Sequence, residues 1–269
     1  MSVSGLAARV EGTVVGDLLE ALRRTRSVDM SYTIAAQAFV ALFPLVLVIT
    51  GAFTGNGDHS VFARQLVSRF GLAGAARLAV EQLFTTPSSG SGVYWLGLLI
   101  TLLSAFSLAR RVSRAYALIW ELPAPTARQQ WRGLAWLLLQ VAMVVLVSGL
   151  RDVRRDHGFG LTVVLLVTLL GVWAVGEFFA QRLLTFGKVA HSRLAAAAAV
   201  VTVGRAAVVV WSGAYLPSAL DRQAELYGPI GVVFALFTWI FASVAVLLLG
   251  PLLAAVATAR PVQTWLRTR

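Results

Sequence analysis

The chain has 269 residues, of which 58% are hydrophobic and only 13% charged, with a formal net charge of +11 and no cysteine. A soluble domain of this size carries about twice that charged fraction, so too little polar sequence is present to cover a water-exposed fold. The lack of cysteine excludes disulfides, thiolate zinc sites and cysteine-held iron–sulfur clusters.

Residues 1–30 carry charges throughout and lack a leading apolar core, so they do not read as a secretory signal. The first span is then expected to direct insertion. Leu6, Val10, Val14, Leu18 and Leu22 recur every four residues, with Arg9, Glu11, Asp17, Glu20, Arg23 and Arg24 over much of the rest. This pattern predicts an amphipathic helix lying in the headgroup boundary. A cap packed on the cytoplasmic helix ends is the alternative.

Six apolar runs follow, at 33–51, 93–109, 134–150, 159–180, 194–216 and 230–249. A helix needs about 20 apolar residues to cross roughly 30 Å of hydrocarbon, so the two shorter runs must extend into flanking turns. Continuous apolarity argues against a β-barrel, whose strands alternate in polarity. The predicted class is all-α: a polytopic membrane protein with six transmembrane helices plus amphipathic interfacial helices.

Asp29 or Ser31 is expected to cap the first span. Pro44 removes the hydrogen bond that would run to Val40 and predicts a bend. Gln37 should face protein or water rather than lipid. Pro44 and Gln37 either line a cavity or form a structural kink with a satisfied amide. Segment 52–92 is too long for a simple turn, and its periodicity predicts amphipathic helices on the outer face. The second span runs into a basic stretch, Arg110 to Trp120, where Tyr116 and Trp120 suit an interfacial belt; Pro123 and Pro125 end that helix. Small residues at 195–199 suit close helix packing, within or between chains. Gly250-Pro251 predicts a kink or break in the last helix. The expected organisation is an interfacial segment 1–28, a membrane domain 29–259 that includes 52–92, and a cytoplasmic tail 260–269.

Fifteen basic residues fall in the N-terminal segment, the second-to-third and fourth-to-fifth connections and the tail, against seven in the other connections. The positive-inside rule then puts both termini in the cytoplasm. Topology already accounts for these charges, so no nucleic-acid partner is expected.

Glu177 and Arg205 are the charges set within apolar runs. Arg205 lies 11 residues beyond Leu194, roughly 17 Å deep. Glu177 lies near the end of the fourth run, and the two differ by about 10 Å in depth. Arg205 either faces a polar cavity and attracts an anionic group such as a lipid phosphate, or ties helices together through carbonyls or Gln37. Glu177 alone is able to snorkel. His59, His157 and His191 fall on both sides of the membrane and cannot share one metal. Asp152 and Asp156 sit among three arginines. With no phosphate loop and no nucleophile elbow, no enzyme activity, cofactor or metal is expected.

The stretches 31–51, 108–123 and 227–256 resemble the YihY/BrkB family of bacterial inner-membrane proteins, long mislabelled as ribonuclease BN. Ser31, Ala35, Ala36, Ala38, Phe39, Leu42, Phe43, Pro44, Tyr227, Gly228, Gly231, Trp239 and Gly250 carry the resemblance. It implies six spans, cytoplasmic termini, and envelope roles that include transport of lipids or their precursors and serum resistance. Many relatives carry Gly-Ala-Glu near the end of the last span; here the positions read Gly250, Pro251 and Leu252, so no acidic group is carried over there. Ribonuclease chemistry would need convergent metal ligands, which the chain does not offer. The expected function is a translocator of lipid or another anionic amphiphile, with Gln37, Pro44, Glu177 and Arg205 as cavity candidates. Membrane lipids and a further copy of the chain are the expected partners. A non-catalytic organising or scaffolding role is the alternative.

Overall fold

A computed structural model describes residues 14–53, 77–78, 91–154 and 159–267. Among them no strand occurs. The helices are α1 (Val14–Thr25), α2 (Ser27–Phe53), α3 (Ser91–Ile119), α4 (Trp131–Arg154), α5 (Phe159–Leu184), α6 (His191–Tyr227) and α7 (Pro229–Arg267), with a 3-10 turn at Ala127–Gln129. Each of the six apolar runs lies within one of the helices α2 to α7. Among the described residues four helical segments are long and apolar enough to cross a membrane: Trp95–Ile119, Val163–Leu184, His191–Tyr227 and Ile230–Thr258. No more than 28% of the most apolar stretch of any of them is buried inside the chain. Core helices of a soluble protein bury most of their apolar face; these turn it outward, with Leu103, Val167, Val203, Val210 and Phe234 all exposed. The chain is a membrane protein on that ground. The expected helices in 52–92, the apolar stripe before Val14, His59, His157 and Asp156 lie outside the described residues.

Two compact units divide the chain. The first comprises the described residues of Met1–Ser31, Ala109–Ala206 and Ala245–Arg269, the second those of Tyr32–Leu108 and Ala207–Val244. In the first unit, α4 and α5 pack side by side. Their approach is close because Gly176 lies flush against Met143; a Cβ there would fall 2.6 Å from its side chain. α1 buries Ala21 and Thr25 while Glu20, Arg23 and Arg24 stay exposed, and Arg24 pairs with Glu121 beyond the end of α3. The last turn of α1 is thus docked on protein. Two caps are corrected. α2 starts at Ser27, so Asp29 falls within its first turn, and the Ser31 hydroxyl donates to the Ser27 carbonyl at 2.7 Å. The turn into α2 is made instead by Arg26, in the left-handed region at φ 47°.

In the second unit, Leu216 and Leu220 of α6 form a small core with Val232, Ala235, Leu236 and Trp239 of α7. α6 runs eleven residues past the apolar run predicted to end at 216, through Pro217 to Tyr227. The connection to α7 is therefore a tight hairpin. Gly228 takes φ 62°, open to a residue without a Cβ. A Cβ on Gly231 would sit 2.0 Å from the Gln223 carbonyl oxygen. The Tyr-Gly-x-x-Gly pattern thus has a steric cause.

Candidate functional site

Buried polar side chains gather in the first unit. Glu177 and Gln181 of α5 and Thr185, the first residue after it, are spaced four apart and form one stripe. All three are buried, with Gln181 and Thr185 at 0% exposure and Glu177 at 1%. The Thr185 hydroxyl turns back to the Gln181 carbonyl at 2.9 Å. Arg205 of α6 places Nη2 3.5 Å from Glu177 Oε2, and Gln140 of α4 donates Nε2 to the same oxygen at 3.3 Å. The Arg205 guanidinium also lies over the Trp173 ring, 5.8 Å from its centroid, a cation–π arrangement.

The depth gap foreseen between Glu177 and Arg205 closes for a geometric reason. α5 and α6 are joined by the short connection 185–190 and run antiparallel. Side chains on a helix tilt toward its N-terminus. Glu177 therefore leans away from the connection and Arg205 leans toward it, so the two converge.

Bonding in this cluster is incomplete. Glu177 Oε1, both amide atoms of Gln181, Arg205 Nε and the Trp173 indole nitrogen are buried without a hydrogen-bond partner, as are Thr202 Oγ1 and the Trp136 indole nitrogen elsewhere in the unit. Buried polar groups are normally satisfied, by protein or by ordered water. A set of donors and acceptors in three neighbouring helices with bonding capacity left over is what a polar guest needs. Glu177 and Arg205 are the pair of sequence candidates that meet. Gln37 belongs to the second unit, where its Oε1 is buried and unpartnered. α2 is helical through position 44, and the side chain of Pro44 lies outside the described residues. His191 is exposed and sits against Arg182. Among the described residues no group of three or more histidines and carboxylates is placed to hold a metal.

The last helix does not break. α7 passes through Gly250 and Pro251 without interruption to Arg267. Pro251 has no N–H for the carbonyl four residues back, which is that of Leu247. The Tyr116 hydroxyl donates to that carbonyl at 3.1 Å, replacing the missing donor. Gly250 lies against Val201, where a Cβ would fall 2.5 Å from Cγ2. Tyr116 is thus not a belt residue: it is wholly buried, and Trp120 nearly so, with Arg193 over its ring at 5.3 Å.

Residues 18–264 match the family described as virulence factor BrkB. The chain belongs to the BrkB family. No curated protein and no solved structure matches it. The BrkB match takes in the whole polar cluster, the hairpin glycines and Pro251. Tyr116, Gln140, Gln181 and Thr202 went unpredicted as site residues. Gln140 and Gln181 were open to detection as amides inside or bordering apolar runs, which is the signal that singled out Gln37. Tyr116 required reading Pro251 for the carbonyl it leaves open.

Proposed function

We propose that this BrkB-family protein is a translocator of lipid or another anionic amphiphile, seated in the bacterial inner membrane with six crossings and both termini in the cytoplasm. The proposed role is non-enzymatic and uses no cofactor or nucleic acid. Its proposed partners are membrane lipids, anionic ones among them, and further copies of the chain. The excess of basic residues in alternate connections supports the orientation.

Arg205 is the observation that supports translocation most. A guanidinium at a helix centre costs about 2.5–3.5 kcal/mol to insert. A residue kept only as a tie would be expected to spend all its donors on protein. Arg205 instead holds one carboxylate at 3.5 Å and leaves Nε without a partner. It is the more open member of the pair, its side chain 20% exposed against 1% for Glu177. An anionic headgroup meeting this surface reaches the cation first.

The test is lipid scrambling in proteoliposomes with headgroup-quenchable phosphatidylglycerol. Wild-type protein should speed the loss of inner-leaflet protection over empty vesicles, and Arg205→Ala should slow it while the protein stays inserted and folded. Equal rates for wild type and empty vesicles would refute unassisted translocation of that lipid and favour an organising role. Equal rates for wild type and Arg205→Ala would remove Arg205 from the path.

A further inference from the structure

We propose that Glu177 is an internal competitor for the anion site of Arg205, a built-in carboxylate that the incoming headgroup must displace. The inference rests on the reading of Arg205 given above and adds its regulation.

Three features of the cluster carry it. First, the pair is loose. Charge-assisted N–H···O⁻ bonds close to about 2.7–2.9 Å, whereas Arg205 Nη2 stands 3.5 Å from Glu177 Oε2. Second, Glu177 has somewhere else to go. Gln140 Nε2 already donates to its Oε2, and Gln181, one turn away on the same helix, keeps its amide nitrogen free. The carboxylate is able to lose the guanidinium and keep amide donors. Third, the order of burial is right for a competitor. The acid lies behind the base, so a ligand meets Arg205 while Glu177 stays covered. A pair built only to lock α5 to α6 would be expected to close its bonds and use both carboxylate oxygens; Glu177 Oε1 has no partner.

Arg205 from α6 and Gln140 from α4 are bonded to Glu177, Trp173 of its own helix lies against Arg205, and Tyr116 of α3 is within electrostatic reach of both charges. Arg205 is the cation among them. An anionic oxygen that takes its place beside Arg205 therefore competes with one defined carboxylate. The ligand chemistry is a phosphate group, whether on a lipid or free.

A competing pair and a structural pair predict opposite signs. If Glu177 only holds the fold, Glu177→Gln and Arg205→Ala both impair the protein. If it competes, Glu177→Gln frees Arg205 and strengthens ligand binding, while Arg205→Ala abolishes it. The experiment is titration calorimetry on the full chain in neutral detergent, with monomeric short-chain phosphatidylglycerol as ligand and short-chain phosphatidylcholine as control. Inorganic phosphate forms a separate arm. Glu177→Gln should bind phosphatidylglycerol about tenfold more tightly than wild type, the scale of one desolvated charge pair removed from the competition. The same pattern with inorganic phosphate would assign the site to the phosphate group itself; a response to the lipid alone would assign it to the headgroup on its tails.

Unchanged or weaker binding by Glu177→Gln, with Arg205→Ala still defective, overturns the competition and leaves the anion site standing. Wild-type binding retained in Arg205→Ala overturns the anion site itself, and the competition with it. Should Glu177→Gln not fold, Gln140→Leu replaces it. That change removes an alternative donor to Glu177, tightens its hold on Arg205 and should weaken binding; stronger or equal binding would count against competition.

Discussion

Tyr116 and Pro251 make the sharpest prediction about what holds α7 together. The Tyr116 hydroxyl donates to the Leu247 carbonyl at 3.1 Å, from a side chain with no exposure. Tyr116→Phe removes that donor without changing shape, and the N–H that would otherwise serve the carbonyl belongs to a proline. A buried acceptor left without its partner costs about 1–3 kcal/mol. Pro251→Ala returns the backbone N–H. Its own effect has two parts of opposite sign, relief of the proline clash and loss of ring packing, and does not bear on the question. The coupling does. In the Pro251→Ala background Tyr116→Phe should cost about 0.5–1 kcal/mol, since the carbonyl keeps its helical donor. The expected coupling is therefore about 1–2 kcal/mol, well above the few tenths by which independent sites deviate from additivity. The four proteins of this cycle are to be compared by reversible unfolding in mixed micelles of neutral detergent and dodecyl sulfate. An equal cost for Tyr116→Phe in both backgrounds would refute the claim that the tyrosine stands in for the missing N–H.

Other substitutions test other parts of the fold. Gly231→Ala should abolish the folded yield, measured as monodisperse protein after extraction, because its Cβ would meet the Gln223 carbonyl oxygen at 2.0 Å. Gly228→Ala, strained only by φ 62° with open space around it, should cost about 1 kcal/mol in the same unfolding assay. Arg205→Ala leaves Glu177 with its amide donors alone and should cost about 1.5 kcal/mol, most of it recovered in the double variant with Glu177→Gln. Arg24→Ala breaks an exposed pair with Glu121 and should change stability by less than about 1 kcal/mol.

The helical class was legible, and so was the place of each long helix in the described sequence, because runs this continuously apolar do not alternate as strands do; four of these helices are long and apolar enough to cross a membrane. Helix ends were less legible. Hydropathy falls after 109 and after 216, yet α3 and α6 continue as helices past both points. The reason is that a helix needs only its backbone bonds and one packed face. The stretch after 109 supplies such a face with Val112, Ala115, Tyr116 and Ile119, buried while Arg111 and Arg114 point outward. A charge run interleaved with that stripe reads as a surface segment in composition and as a packed helix in space.

The site was half legible for a related reason. Glu177 and Arg205 stood out as charges in apolar sequence, but their depths, counted along the helix axes, set them about 10 Å apart. Depth counted at Cα ignores the direction in which side chains leave a helix. On antiparallel neighbours that direction is opposite in the membrane frame, so a deep arginine and a shallow glutamate close on each other, whereas a shallow arginine and a deep glutamate would diverge. The same correction applies to proline. Gly250-Pro251 reads as a break when only its own helix is considered, and as an acceptor when the facing helix is included. Tyr116 is the answer to that acceptor, 131 positions away in sequence. Local pattern indicates where a helix is weakened; whether it breaks depends on a donor that only the packed bundle brings within reach.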